Sequence, residues 1–508
     1  MNELVTIFFW TAYLIPAAIL MLFGFNLYFV LLLFLYRRRK ARLEAQDMLR
    51  RFWRKYSQED LPHVVTQLPV YNEYNVVERA LRAIVAMEYP PGKHTVQVLD
   101  DSTDETRQLI DTLASDLVAE GHDVQVIRRT NRTGFKAGAL NYGMDCTNAQ
   151  FFAIFDADFV PPQHFLMETL PVMCERSDVG LVQARWGHLN AENSFVTRAQ
   201  GLGIDGHFAI EQPARAWNKL FMNFNGTAGL WRRRAIEDAG GWEHDTLTED
   251  MDLSYRAQLA DWAPFYLSGL VVPAELPENI NAFKSQQFRW AKGSIQTAIK
   301  LLPRVIRSPR SFLAKIQAIF HMTHYMIHPV MVWLALLSLP MLSFTQIRTS
   351  PILFTLIFTL IIISALAPMA MYAVAQLSLY PRGWRRFRHL PFLSMIGVGI
   401  AISNSRAVLE ALFGKESPFI RTPKSGDHRI VNYKMRMPYV ALLEVGLGIY
   451  CFISLWVYFH SQTYIVGPFL LLYALGFTLV GVLSITHAIA EARWTPHSAQ
   501  LALSKPEV

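Results

Sequence analysis

Cysteine is scarce: three residues, Cys146, Cys174 and Cys451, lie far apart among 508. That spacing excludes a disulfide framework and a zinc site, and it fits working parts that face a reducing compartment. Charge is missing over long stretches. No Asp, Glu, Lys or Arg occurs from Val5 to Tyr36, from Ile316 to Gln346 or from Thr349 to Tyr380, and 439–489 holds one acid, Glu444. About 20 apolar residues suffice to cross a bilayer. Those stretches therefore read as membrane spans, with the last divided around "HSQTY" (460–464) into two. A cleaved leader does not suit the first run, because it is too long and its basic residues, "RRRK" (37–40), come after it. The formal charge of +7 sits beside apolar runs rather than along one soluble stripe, so no nucleic-acid partner is expected.

The basic flanks orient the spans. "RRRK" places the segment after it in the cytoplasm under the positive-inside rule. Residues 391–414 begin apolar but carry Asn404, Arg406 and Glu410, with basic residues on both sides. A crossing there would put one basic flank outside, so a helix along the cytoplasmic interface is expected. The expected organisation has five crossings. Residues 1–40 form the first span and its flank, 41–300 a cytoplasmic domain, and 301–390 an interfacial segment with two spans. An interfacial helix and a loop fill 391–436, and 437–508 hold two spans and a short cytoplasmic tail.

Residues 60–300 have ordinary soluble composition. "HVVTQLPVYNE" (63–73), "TVQVLDDS" (95–102), "DVQVIRR" (123–129) and "FFAIFDADF" (151–159) each read as a buried strand closed by polar residues, and 75–87 as a helix. Strands alternating with helices predict an α/β domain with a mostly parallel sheet, whose ligands bind beyond the carboxyl ends of the strands.

The polar residues at those ends are the candidates for chemistry. Asp156 and Asp158 stand at i and i+2, where two hard carboxylates suit Mg2+ or Mn2+ with room left for a diphosphate; acids that merely solvate a turn look the same. Asp100 and Asp101 suit either a nucleoside contact or an Asx-type turn. "NRTGFKAGALN" (131–141) offers glycines and Lys136 to phosphate, yet has neither a Walker pattern nor a dinucleotide fingerprint, and a plain loop into a helix also explains it. In "TLTEDMD" (246–252), Thr246 and Glu249 have capping-box spacing, which leaves Asp250 unexplained. An acid at a helix start is held ionised by the dipole, which suits a base.

Together, "VYNE" (70–73), Asp100 with Asp101, "FKAGALN" (135–141), Asp156-Ala157-Asp158, "TED" (248–250) and Gln286-x-x-Arg289-Trp290 resemble the processive branch of glycosyltransferase family 2, the cellulose, chitin and hyaluronan synthases. Strings such as "QVLDDSTD" (97–104), "FNGTAGLWR" (224–232) and "TEDMDLSYRA" (248–257) are most similar to plant cellulose synthase-like glucomannan and xyloglucan-backbone synthases. The resemblance implies a GT-A type nucleotide-sugar domain inserted between transmembrane helices. It also implies an inverting, processive enzyme that polymerises a hexose, from UDP-glucose first or GDP-mannose next, and passes a β-linked glycan across the membrane. Tyr71, Glu73, Asp100, Asp101, Lys136, Asp156, Asp158, Gln286 and Arg289 would hold the sugar nucleotide. Asp158 would hold Mg2+ or Mn2+, and Asp250, ahead of Glu249, would be the base. Thr248 and Trp290 would meet the acceptor, the indole as a platform under its terminal sugar.

"FIRTPKSG" (419–426) resembles the mobile loop of cellulose synthases at Phe419, Thr422 and Lys424, with Arg421 in place of a valine. About 18 residues after the last span are too few for the cyclic-dinucleotide domain of the bacterial enzymes. Four spans after the catalytic domain are also fewer than those enzymes have, so a narrow channel would be lined by five helices and interfacial segments, or completed by a second copy or accessory export proteins. The competing expectation is a non-processive enzyme that makes a glycolipid such as a ceramide glucoside, separated by product length. A plasma (inner) or Golgi-type membrane is expected, with the catalytic domain cytoplasmic.

Overall fold

The computed structural model describes residues 3–344, 351–415, 439–462 and 466–502. A helix at Glu3–Lys55 leads from the membrane into the domain without a break at residue 40. Pro16 lies inside it and cannot donate to the Ala12 carbonyl one turn back. The Trp333 indole N–H, from the helix Ile327–Phe344, donates to that carbonyl instead at 2.9 Å. The far end of the same long helix puts Met48 and Phe52 into the core beneath the sheet.

The domain is built on seven strands: β1 (Val64–Val70), β2 (His94–Asp100), β3 (Val124–Ile127), β4 (Phe151–Ile154), β5 (Val179–His188), β6 (Gly229–Arg232) and β7 (Ala263–Ala274). They form one sheet in the order β3-β2-β1-β4-β6-β5-β7. All neighbours run parallel except β6, which is antiparallel to β4 and β5. β1, β2 and β4 are buried on both faces, which is why they read as nearly continuous apolar runs. Gln67 and Gln97 are in register on neighbouring strands, and the Gln67 amide donates to the Gln97 side-chain oxygen at 3.1 Å, so polar atoms inside the sheet are paired.

Five helices among the described residues are long and apolar enough to cross a membrane: Ile7–Lys55, Phe312–Leu342, Thr355–Leu379, Tyr439–His460 and Gly467–Ala490. The single interfacial helix expected at 391–414 is instead two helices, Leu390–Gly399 and Ala401–Leu412, bent by 42° at the break. Gly399 ends the first of them, where its α-carbon packs against Gly476 and Val480 of the last helix. Phe419, Thr422 and Lys424 lie outside the described residues.

Candidate active site

Four loops at the carboxyl end of the sheet build the site. The "VYNE" turn is stitched to the "LDDST" turn, because the Asn72 N–H donates to Ser102 Oγ at 3.0 Å and the Thr103 N–H to Asn72 Oδ1 at 2.8 Å. Tyr71 carries the Arg132 guanidinium over its ring, 3.2 Å from the centroid, and Glu73 stands at the N-cap of the helix Tyr74–Val85. Asp100 is buried, accepting from the Ser102 N–H at 2.9 Å and from Arg128 at 2.7 Å. The Asx turn is therefore present together with an ion pair.

Asp101 grips Arg129 through both oxygens, at 2.8 and 2.5 Å. Arg129 in turn donates to the Thr133 and Phe135 carbonyls, each at 2.7 Å, and so fixes the turn that starts the helix Phe135–Asp145. The next side chain is Lys136. The arginines after β3 were not among the sequence candidates; the basic run "IRRTNR" was their only trace.

Lys136 Nζ pairs with Asp156 Oδ1 and donates to the Gly226 carbonyl at 2.7 Å. The Asp156 N–H donates to Thr227 Oγ1 at 2.9 Å, which ties the Asp156 turn to the "FNGTAG" loop. Gly226 has φ +79°, and a Cβ placed on it would lie 3.0 Å from Asp250 Oδ2 and 3.4 Å from Lys136 Nζ. Gly226 thus marks the point where β4, the loop before β6 and the helix Glu249–Leu259 meet. Gly226→Ala should lower turnover by about 10- to 100-fold in a folded protein, since both the φ and the space beside Asp250 are lost. Turnover assays beside a melting curve would check this.

The helix Glu249–Leu259 starts at Thr248. The capping box expected from Thr246 does not form: Thr246 is buried two residues outside the cap, and the Thr248 hydroxyl faces Thr297 at 3.2 Å. Thr248 sits there because Gly293 of the helix Ile280–Arg307 has no side chain to displace it. That packing docks "TED" onto the helix that carries Gln286, Arg289 and Trp290. All three are partly exposed, and Trp290 packs against the buried cluster that includes Tyr325, Ala407 and Val408, at the border with the membrane helices.

Charge in the pocket is balanced. Burial opposes the Lys136 ammonium, but Asp156, Glu249 and Asp250 outweigh it and hold its pKa above the usual range. Burial raises the Glu249 pKa against the pull of Lys136 and Arg289. Burial, then repulsion from Glu249, raises Asp250 to about 7. Desolvation thus overrides the helix dipole that was expected to keep this acid ionised. Asp156 and Asp158 lie beyond β4, in the turn that follows it rather than on the strand, so strand alternation does not align them; both are partly exposed with buried Ala157 between them, and their hard oxygens suit Mg2+ or Mn2+. Glu243, Asp245 and Asp252 also come together, but Lys300 fills their midst, with contacts to Asp245 at 2.7 Å and Asp252 at 3.0 Å.

Of six non-glycine residues with positive φ among those described, Asn72 and Ala228 stand in the loops of this pocket and Phe135 at the start of its Lys136 helix. Concentrated backbone strain is characteristic of a functional site.

Residues 62–293 match the domain described as glycosyltransferase-like family 2. The chain is 41% identical over 251 residues, 49% of its length and 43% of the relative's, to "Probable glucomannan 4-beta-mannosyltransferase 7" of Oryza sativa subsp. japonica. It is 33% identical over 443 residues, 84% of its length and 97% of the relative's, to "Probable glucomannan 4-beta-mannosyltransferase 11" of Arabidopsis thaliana. Against several such relatives, the rice protein included, the matched stretch spans about half of their length. A solved mannosyltransferase, PcManGT from Pyrobaculum calidifontis in complex with GDP-Man and Mn2+, is similar over 79% of this chain and 100% of its own, at 19% identity and a TM-score of 0.48.

Proposed function

The chain belongs to glycosyltransferase family 2, and from that premise we propose an inverting, processive β-glycosyltransferase that moves a hexose from a sugar nucleotide to the growing end of a β-linked glycan. One observation carries the reading: Lys136 joins Asp156 to the Gly226 carbonyl, Asp250 lies against the same glycine, and Thr248 docks the segment that carries Glu249 and Asp250 against the Arg289–Trp290 helix. The names of the relatives, 4-beta-mannosyltransferases of glucomannan, bring GDP-mannose ahead of UDP-glucose as the donor.

The chemistry is set by the residues. With a pKa of about 7, Asp250 is part carboxylate at neutral pH, and in that form it takes the proton from the attacking hydroxyl. Its Oδ1 accepts from the Met251 N–H at 2.8 Å, which leaves Oδ2 toward Gly226 and Lys136. Lys136 and Arg289 supply positive charge for the leaving diphosphate. A divalent cation held by Asp158, with Asp156 beside it, would neutralise the same developing charge when bound. Trp290 offers the acceptor's last sugar an apolar face, and the growing chain leaves between the membrane helices from the cytoplasmic face of a plasma or Golgi-type membrane.

The test is to incubate the purified protein with labelled GDP-mannose or UDP-glucose and Mg2+ or Mn2+, size the product and digest it with linkage-specific hydrolases. A β-1,4-linked polymer is expected. A product of one sugar on a lipid would replace the processive reading with glycolipid synthesis.

A further inference from the structure

The one acid in the apolar run 439–489 has a partner 160 residues away in sequence. Glu444, fully buried in the helix Tyr439–His460, accepts a hydrogen bond at 2.7 Å from Lys284, whose side chain is 6% exposed. Lys284 also donates to Ser484 Oγ at 3.1 Å. Around it, the Asn281 side chain donates to the Ser484 carbonyl at 2.9 Å and the Ile280 N–H to His487 Nδ1 at 3.1 Å. Lys284 lies two residues before Gln286 on the helix that carries Arg289 and Trp290. Two residues after Trp290, buried Lys292 pairs with Glu410 of the helix Ala401–Leu412 at 3.3 Å.

Both lysines thus face away from the nucleotide-sugar domain and end on acids of the membrane-side helices. A buried ion pair adds little stability over an apolar pair of the same shape, but it fixes register and orientation, and an ionisable group within a membrane segment marks function. We propose that Lys284 and Glu444, resting on the glycosyltransferase reading above, are positioning residues. They hold the Trp290 platform at one height against the last two membrane helices, so that the acceptor hydroxyl, and not water, reaches the donor.

The pair touches none of the residues placed around the donor, so its loss should separate two activities that share that donor. In Glu444→Gln, transfer to glycan is expected to fall about ten-fold or more while hydrolysis of the sugar nucleotide to free sugar stays within about two-fold of the parent. The exchanged double variant, Lys284→Glu with Glu444→Lys, should recover most of the transfer. If Glu444→Gln does not fold, Glu444→Asp, which keeps the charge on a shorter arm, is read the same way. Equal loss of transfer and hydrolysis, or no loss of transfer, overturns the proposal. Amide hydrogen exchange on the same samples needs no turnover: faster exchange over 286–292 with unchanged exchange in β1 and β4 supports the pair's role, and unchanged exchange over 286–292 overturns it. An inactive parent would therefore count against the enzymatic reading while the exchange data still judge the pair.

Discussion

Asp250→Asn should leave a folded protein that binds sugar nucleotide and transfers sugar about 10³-fold more slowly, the range expected when a general base is removed. The parent's kcat/KM should rise with pH through about 7, where its Asp250 carboxyl gives up its proton, and the residual activity of the variant should lack that limb. Stability is expected to move in the opposite sense. Because burial lifts this carboxyl from 3.8, the native state binds its proton more tightly than the unfolded chain does, and the stabilisation fully present below 3.8 is lost as pH rises through 7. The amide has no charge to desolvate. At pH 7.5 Asp250→Asn should therefore melt at a higher temperature than the parent, a gain that shrinks toward pH 4. Full activity in this variant would reject Asp250 as the base, and loss of transfer in Glu249→Gln alone would move the role to its neighbour.

Lys136→Met should be nearly as damaging, lowering kcat by about 10²- to 10³-fold, because the cation proposed to meet the leaving group also neutralises the pocket at rest. Its removal strips the hydrogen bond from the Gly226 carbonyl and takes from Asp156, Glu249 and Asp250 the cation that offsets them, while Arg289 still acts on Glu249. Like charges raise one another's pKa. The acidic limb of the residual pH profile should then shift upward, so that some activity returns on raising the pH. A loss of activity with an unshifted limb would mean that Lys136 does not share a field with the base.

What could be read from sequence were features local to a few residues. β1, β2 and β4 showed because a strand buried on both faces is a short apolar run, and Asp100 and Asp156 showed because each stands where such a run stops; β3, expected to be buried as well, is an edge strand and only partly covered. β5, β6 and β7 were not identified: β6 has only four residues, and its antiparallel insertion between β4 and β5 is a matter of pairing, which no local pattern records. The same reason hid what Asp101 does. Its partner is invisible in the sequence: Asp101 grips Arg129 and through it sets the start of the Lys136 helix. Glu444 stood out as the sole acid of its run, but its partner is 160 residues distant. The cap at Thr246 failed for a tertiary reason, since contact with the helix Ile280–Arg307 decides where the neighbouring helix begins.

The opening helix has a consequence for dissecting the protein. Since Glu3–Lys55 is one rod whose last turns carry Met48 and Phe52 under the sheet, a soluble fragment excised at the membrane border must retain those turns. Cut beyond them, the sheet would meet water with its greasy underside bare, and the catalytic half would clump rather than work alone.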